Sequence, residues 1–313
     1  MSVWTSLRRS LLPLRPAAGL VLAHHRVGES PGDRERELVP ALSTRHFEER
    51  LDVLARRYRV VPASEVLGEA RASRRRAPIP IALTFDDDLY SHLDVIAPIL
   101  LRRGFPATFF VGPPLPPGAA FWWEDLQALA DEVRLPSHLD SLPEMDLMPV
   151  ARREPRAIHG LGRAIESLPP DRRDAVAAEL HALAGMNTRR RLDAEAMVSL
   201  VEAGFELGFH TRHHYLLTTL DDERLTRELT DGRGILETIA KRPIAIMAYP
   251  HGKADTRVAQ AARAAGFGIA FTGGSARVDT GTDPLLVPRT EVPNAPLDEF
   301  QGRLDRVISG RAR

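Results

Sequence analysis

The sequence predicts an α/β fold in which a mostly parallel sheet closes into a TIM-like barrel with a helical insertion. Short apolar segments alternate with amphipathic ones along most of the 313 residues, a pattern typical of repeated βα units. The alternation stops at about residue 113 and resumes near residue 190. Polar residues directly follow three of the apolar segments, at the strand end where α/β barrels hold their chemistry.

Seven apolar segments are predicted to be strands, because each is short, rich in aliphatic residues and bounded by polar or turn-forming residues. Seven strands favour a barrel, closed or incomplete, over an open sheet. The predicted strands are 19–23, 58–61, 79–85, 107–111, 205–209, 245–248 and 269–272.

Amphipathic segments between these strands are predicted to be helices. Ser43 or Thr44 can cap a helix with Phe47, Leu51 and Leu54 on one face. The other helices are predicted at 93–103 with a kink at Pro98, from a cap at Asp193 to Gly204, at 222–241, and up to Gly266.

Residues 113–190 form a predicted insertion, with alanine- and arginine-rich helical patterns that begin at Phe121-Trp122-Trp123-Glu124. Because it follows the 107–111 strand, we expect it to cover one side of the pocket and to limit substrate size. No internal repeat is visible, so residues 1–313 are predicted to form a single domain that contains this insertion.

Composition excludes several classes of function. Lys+Arg and Asp+Glu both number 42, so the basic excess typical of nucleic-acid-binding proteins is missing. The basic runs 74–76 and 189–191 are interpreted as solvated surface. There is no cysteine, so disulfides and thiol nucleophiles are excluded and His, Asp or Glu must hold any metal.

The N-terminal residues resemble a signal peptide only superficially, because Pro13, Arg15 and Pro16 interrupt the apolar run. The next apolar run, 17–23, is too short to span a membrane. We therefore predict no integral membrane segment and a cytoplasmic protein, with peripheral membrane contact by the first residues as the alternative. No pattern indicates an oligomeric state.

Three predicted strands end in residues suited to hydrolysis, at 86–88, 210–214 and 249–252. Two histidines and one aspartate can bind a divalent metal and leave coordination positions open. A second carboxylate next to the first can act as general base, since successive strand residues point in different directions. A plain polar loop or a helix cap is the alternative interpretation of either cluster.

In order and context, these motifs resemble those of the polysaccharide deacetylases, the NodB-like carbohydrate esterase family 4. The matching motifs are T-F-D-D at 84–87, A-T-F-F-V at 107–111, H-T-x-x-H at 210–214 and Y-P-x-G at 249–252. The resemblance implies a distorted (β/α)7 barrel that removes N-acetyl or O-acetyl groups from glycans. It also implies that Asp86 is the base and that Asp87, His210 and His214 are the metal ligands.

The chain departs from the family pattern at three places. Asp88 replaces a usual glycine, Met247-Ala248 replaces the usual arginine of the third motif, and the late Leu-x-His motif that supplies the catalytic acid is missing. Arg289 is either a surface charge or the replacement arginine that reaches Asp86. His251 is predicted to supply the acid, with aromatic space filling as its alternative role.

Other residues near the motifs have two interpretations each. His25 is either structural or in contact with substrate, and His213 is either solvated or in contact with substrate. Trp122 and Trp123 form either the core of the insertion or a platform for a sugar. Tyr249, Pro250 and Arg289 are also predicted to bind substrate, as parts of the pocket.

The sequence therefore predicts a hydrolase of C–N amide bonds that deacetylates N-acetylated sugars or polysaccharide. Zn²⁺ is the first choice of cofactor, and an acetylated carbohydrate is the expected substrate. Two alternatives stay open: a catalytically impaired glycan-binding protein of the same fold, and an amidase that acts on a non-sugar amide.

Overall fold

The computed structural model describes residues 18–72, 77–114, 120–185, 191–292 and 294–311. The N-terminal segment considered as a signal peptide and the basic residues at 74–76 and 189–190 lie outside the described residues. In the part of the chain that is described, none of the helices combines the length and apolar character needed to cross a bilayer.

Eleven strands and twelve α-helices, together with one π-helical turn and two 3₁₀ turns, make up the described secondary structure. The strands are β1 (Leu20–His24), β2 (Val27–Gly28), β3 (Leu42–Ser43), β4 (Tyr58–Val61), β5 (Ile79–Asp86), β6 (Thr108–Val111), β7 (Glu206–Phe209), β8 (Ile246–Ala248), β9 (Ile269–Thr272), β10 (Val287–Pro288) and β11 (Thr290–Glu291). The helices before residue 150 are α1 (Thr44–Arg57), α2 (Ala63–Ala72), α3 (Ala97–Arg103), α4 (Trp122–Asp131) and α5 (Met148–Ala151). The later helices are α6 (Ala157–Glu166), α7 (Pro170–Ala184), α8 (Ala194–Glu202), α9 (Asp222–Thr230), α10 (Arg233–Ala240), α11 (Thr256–Ala264) and α12 (Leu297–Ile308).

The main sheet is a nearly closed parallel barrel, as the sequence predicted. Its strand order is β10-β9-β8-β7-β6-β5-β1-β11, and every neighbouring pair is parallel. The terminal strands β10 and β11 flank Arg289 in the chain, so one segment pairs with β9 on one side and β1 on the other. Counting β10 and β11 as one kinked strand yields seven, in agreement with the predicted (β/α)7 barrel.

All seven predicted strands are present, but one of them, β4, is not part of the closed path of the barrel. Strand β4 pairs with the first half of β5, beside the path that closes the sheet. The seventh position belongs to residues 287–291, which the sequence did not mark as a strand. Each half of that segment is only two residues long and one contains Pro288, so no alternating pattern is visible.

Two core clusters lie on the two faces of the barrel sheet. The larger one packs the outer face against helices, including Phe47, Leu51 and Leu54 of α1 as predicted. The smaller one contains the alternate strand residues, such as Ala82 and Phe110, together with α2, and so fills the interior. Gly208 leaves room there, because a Cβ at this position would lie 2.4 Å from Cδ1 of Phe110.

The predicted helices are present, with two corrections to their shape. The 93–103 helix consists of a π-helical turn, His92–Ile96, followed by α3, whose first turn contains Pro98. The predicted 222–241 helix is two helices, α9 and α10, separated at Asp231 and Gly232. Gly232 has φ +81° and a Cβ there would lie 2.5 Å from Cγ of Pro113, so a glycine allows the chain to turn at this contact.

The region predicted as an insertion contains helices α4 to α7 and has its own hydrophobic core. Trp122, Leu126, Leu161, Val176 and Leu180 belong to that cluster. The predicted single domain of residues 1–313 with an insertion at 113–190 stays a prediction.

Candidate active site

The predicted catalytic residues lie at the carboxyl ends of three parallel strands. Asp86 ends β5, His210 directly follows β7, and His251 follows β8. The backbone N–H of His210 donates to the carbonyl of Val111 at 3.0 Å, so the ladder between β6 and β7 continues to the first histidine. The three strand ends therefore meet at one rim of the barrel, around a cleft of about 690 Å³.

Asp87, His210 and His214 form a compact cluster of three buried side chains. Oδ1 of Asp87 lies 3.4 Å from Nε2 of His210 and 3.4 Å from Nε2 of His214. The ligand-type atoms of the three residues lie within 4.8 Å of one another. Oδ1 of Asp87 is buried and has no hydrogen-bond partner in the described structure. An unpartnered buried carboxylate oxygen facing two imidazole nitrogens fits a divalent cation.

The ring of His210 is oriented for this role by a backbone contact. Its Nδ1 lies 2.8 Å from the carbonyl oxygen of Ala248, so Nδ1–H donates and the Nε2 lone pair faces Asp87. Burial alone would lower the pKa of His210, but Asp86 and Asp87 beside it raise that pKa above its ordinary value. The two carboxylates therefore favour a positive charge at this point.

Asp86 is held by Arg289, which the sequence considered either as a surface charge or as a partner of this residue. Arg289 is buried, its Nη1 donates to Oδ1 of Asp86 at 2.8 Å, and its Nη2 lies 2.8 Å from Oδ2. Burial would raise the pKa of Asp86, but Arg289 and then His210 hold it below its ordinary value. Asp86 is thus ionised at neutral pH, and the surface interpretation of Arg289 is wrong.

His25 and His251 both line the cleft. Nε2 of His25 lies 3.8 Å from Oδ2 of Asp87. The ring of His251 lies 4.6 Å from the ring of His214, and its Nε2 lies 3.3 Å from Oε1 of Glu166 in α6. Arg173 holds the same carboxylate through two hydrogen bonds of 2.7 and 3.0 Å, which fixes Glu166 in position.

Tyr249, Pro250 and His213 are not among the residues that line the cleft. Tyr249 is fully buried, and its hydroxyl donates to the carbonyl of Leu285 at 3.0 Å. Nδ1 of His213 lies 2.5 Å from Oε1 of Glu228, and its ring stacks on Tyr215. The structure therefore places these three residues, which the sequence offered as substrate contacts, outside the lining of the cleft.

The two interpretations of Trp122 and Trp123 do not exclude each other. Both belong to the core of the insertion and both line the cleft. The ring of Trp123 lies 4.9 Å from that of His214 and stacks on Phe121 with a centroid distance of 4.0 Å. The insertion thus covers one side of the site, as its position after the 107–111 strand predicted.

Asp88 connects both ends of the insertion to the candidate site. It is buried, accepts a hydrogen bond of 2.8 Å from the N–H of Gly112 and forms an ion pair with Arg191. The Arg191 guanidinium lies 3.6 Å from the centroid of Phe121. Arg191 was predicted to be solvated surface, and this is wrong because a buried carboxylate and an aromatic ring enclose it.

Several non-glycine residues of the candidate site have positive φ angles. Positive φ angles at non-glycine residues are uncommon, and they concentrate where surrounding structure enforces them, frequently at functional sites. Five such residues lie at these strand ends: Asp87, Asp88, Thr211, His214 and His251. Asp88, at φ 49°, adopts the conformation that suits the glycine it replaces.

Sequence reasoning missed Glu166, Arg173 and Arg191 as neighbours of the site. No local signal marks them, since they are charged residues in a region rich in arginine and alanine. The spacing of His159, Gly162 and Glu166 does correspond to one helix face, but the sequence alone does not show that this face borders the cleft.

Comparisons with known proteins agree with this geometry. The family model described as polysaccharide deacetylase matches residues 172–270. The match begins inside α7, so part of the predicted insertion lies within the family's own pattern. No curated protein matches the chain in sequence.

Several solved structures share the fold at low sequence identity. A deacetylase of Streptococcus pyogenes, PplD, in complex with acetate, has a TM-score of 0.61 at 15% identity, over 94% of this chain and 99% of that one. A polysaccharide deacetylase of Bacillus cereus has a TM-score of 0.58 at 16% identity, over 92% of this chain and 69% of that one. A de-N-acetylase of Aggregatibacter actinomycetemcomitans has a TM-score of 0.57 at 14% identity, over 91% and 99%.

These structures support the fold, and the family model supports the function at the level of the family. The predicted resemblance to the polysaccharide deacetylases is therefore confirmed, in fold over most of the chain and in sequence over residues 172–270. The enzyme class, a hydrolase of amide bonds, follows from the match to the family model.

Proposed function

We propose that this chain is a metal-dependent carbohydrate deacetylase that removes acetyl groups from N-acetylated sugar units. The observation that supports this most directly is the adjacency of two different carboxylate environments at one rim. Asp87 faces two imidazoles, whereas Asp86, the preceding residue, is paired with Arg289. Asp87 is thus arranged as a metal ligand and Asp86 as a base.

Asp87, His210 and His214 would hold the metal. A divalent ion bound there supplies a Lewis acid that polarises the acyl carbonyl and lowers the pKa of water. Zinc is the first choice because imidazole and carboxylate ligands suit it, although geometry and availability rather than affinity decide occupancy.

Asp86 would take the proton from the attacking water. Its hydrogen bond and ion pair with Arg289 hold the carboxylate plane in one orientation and keep it ionised. A base in hydrogen-bond reach of its proton needs this fixed geometry more than it needs basicity.

His251 would return a proton to the leaving amine, because an amide anion is too poor a leaving group. It lines the cleft next to His214, and Glu166 fixes its ring. His24 also lines the cleft, but burial lowers its pKa to about 3, so it stays neutral and cannot donate a proton readily. Two alternatives are that Asp86 both takes and returns the proton and that His251 only fills space.

Acetate release tests the proposed function. Purified protein is expected to release acetate from at least one of a panel of N-acetylated oligosaccharides. This release is expected to stop after treatment with a chelator. Added Zn²⁺ is expected to restore release. Binding of a glycan without release would instead favour the catalytically impaired alternative, and release from non-sugar amides alone would favour the amidase. O-acetylated members of the panel decide between ester and amide substrates.

Replacement of His251 tests the acid. His251→Ala is expected to lower turnover by about 10²-fold or more with unchanged metal content, since general-acid loss typically costs about 10²–10⁴-fold. His251→Phe, which keeps an aromatic ring at this position, is the matched control and is not expected to restore turnover. Wild-type activity in His251→Phe would show that the ring only fills space.

The chain functions as one domain with the 113–190 segment as part of its substrate cleft. We also propose cytoplasmic residence, with peripheral membrane contact by the first residues as its alternative. Fractionation of cells that express the full chain tests this location.

A further inference from the structure

We propose that the cleft contains a subsite for an anionic group of the substrate, formed by Arg34 and Arg163. This inference rests on the proposed function and narrows its substrate to acidic or phosphorylated glycans. Both arginines are exposed and both line the cleft. Neither lies within 4.0 Å of a carboxylate in the described residues, which separates them from the other arginines of the cleft.

The other two cleft-lining arginines are already neutralised. Arg26 donates two hydrogen bonds of 2.6 Å to Glu124, and Arg289 is paired with Asp86. These side chains are partly or fully buried and have structural or positioning roles. Arg34 and Arg163 are therefore the cleft-lining arginines of the described residues that are available to bind an anionic ligand.

Arg34 and Arg163 lie on the same side of the cleft, at α6. Nε2 of His159 lies 3.0 Å from the carbonyl oxygen of Arg34, so the loop that contains Arg34 packs on α6. Arg163 follows His159 by four residues, which places both on one face of α6 about one turn apart. Both arginines therefore border the same part of the cleft, Arg163 from α6 and Arg34 from the loop packed on it.

The position relative to the candidate metal site indicates which part of the substrate would carry the charge. Glu166 follows Arg163 by three residues on the same helix face, and it contacts His251 beside His214. Arg163 therefore lies on the order of 10 Å from the metal-binding histidines, given a helical rise of about 1.5 Å per residue and one side-chain contact. That distance favours an anion on the neighbouring sugar or on a group attached to it.

The rest of the rim does not compete for an anion. Ser275 in the loop after β9, Glu291 at the end of β11 and Asn294 after it also line the cleft. Ser275 and Asn294 are neutral, and Glu291 repels negative charge toward the α6 side. The charge distribution of the cleft is therefore uneven, with Arg163 in the insertion and Arg34 in the loop packed against it.

Carboxylate and phosphate share the chemistry that a pair of arginines recognises, since guanidinium groups match both geometries. The experiment compares three N-acetylated oligosaccharides: a neutral one, one with a neighbouring uronic acid, and one with a neighbouring phosphate. Each is assayed with the wild type, with the double variant Arg34→Gln/Arg163→Gln, and with Arg152→Gln as control. Arg152 is an exposed arginine that does not line the cleft.

The wild type is expected to show a KM about tenfold lower for at least one anionic substrate than for the neutral one, with similar kcat. Exposed ion pairs contribute modestly, and two of them reach about this factor. The preference is expected to vanish in the double variant and to shrink at 0.5 M salt, but to persist in Arg152→Gln. The substrate that shows the preference identifies carboxylate or phosphate as the source.

Failure of this inference can be told apart from failure of the proposed function. If no substrate releases acetate, calorimetry measures binding of a uronic-acid disaccharide and of a sugar phosphate to the wild type and the double variant. Binding that is lost in the double variant would support the subsite without any catalysis. Equal binding in both proteins, no binding to the wild type, or an unchanged KM ratio in an active double variant would overturn it.

Discussion

Asp86→Asn is expected to lower turnover by about 10²–10⁴-fold while the bound metal stays at wild-type content. The substitution removes the base and keeps its shape, and general-base loss typically has this magnitude. Asp87, His210 and His214 are unchanged, so metal analysis by mass spectrometry should find the same occupancy. Steady-state acetate release at saturating substrate measures the effect on kcat.

The buried partner of Asp86 makes a second variant necessary. Asp86→Asn leaves the Arg289 guanidinium buried without a carboxylate, and an uncompensated buried charge destabilises by about 3–5 kcal/mol. In the double variant Asp86→Asn/Arg289→Gln, that charge is removed, so thermal stability should recover in part while activity stays low. A folded Asp86→Asn protein with wild-type turnover would contradict the assignment of the base.

His210→Ala is expected to abolish metal binding and, with it, acetate release. His210 contributes one of the two imidazole nitrogens that face Oδ1 of Asp87, and the remaining two ligands cannot complete a stable site. Metal content after dialysis against a weak chelator measures the loss, and added Zn²⁺ should not restore activity. Asp87→Asn, which keeps the size of the side chain but removes its charge, should produce the same loss.

The matched control is a histidine of the same loop. His213 is bonded to Glu228 and lies outside the cleft lining, so His213→Ala should retain the metal. The pair distinguishes a site built from His210 and His214 from one built from His210 and His213. Full occupancy in His210→Ala, or loss in His213→Ala with an intact fold, would contradict the proposed ligands.

Much of the fold was predictable because barrel strands leave a local signal. Segments such as 79–85 and 107–111 are short, apolar and bounded by polar residues, which follows directly from burial on both faces of a parallel sheet. The helix break at Gly232 was missed because the hydrophobic pattern continues through it, although Asp231-Gly232 is a turn-forming dipeptide. The close approach of Pro113, more than a hundred residues earlier in the chain, is the part that the local sequence does not show.

The candidate ligands were predictable for a related reason. Asp87 and His210 directly follow buried strands, and parallel strands place their carboxyl ends at one edge whatever the details of packing. The spacing from His210 to His214 is local as well. Strand position therefore predicts that the clusters at 86–88 and 210–214 meet, and the family resemblance selected Asp87, His210 and His214 within them.

The partners of these residues were decided by the tertiary structure alone. Arg289 reaches Asp86 across 203 residues only because the 287–291 segment closes the barrel beside β1, and that segment is too short to be recognised as a strand. Glu166 meets His251 because α6 packs over the rim, and Arg191 meets Asp88 because the two ends of the insertion converge there. Hydrophobic periodicity reports which face of an element is buried, whereas the pairing of polar side chains depends on which elements a closed barrel brings together.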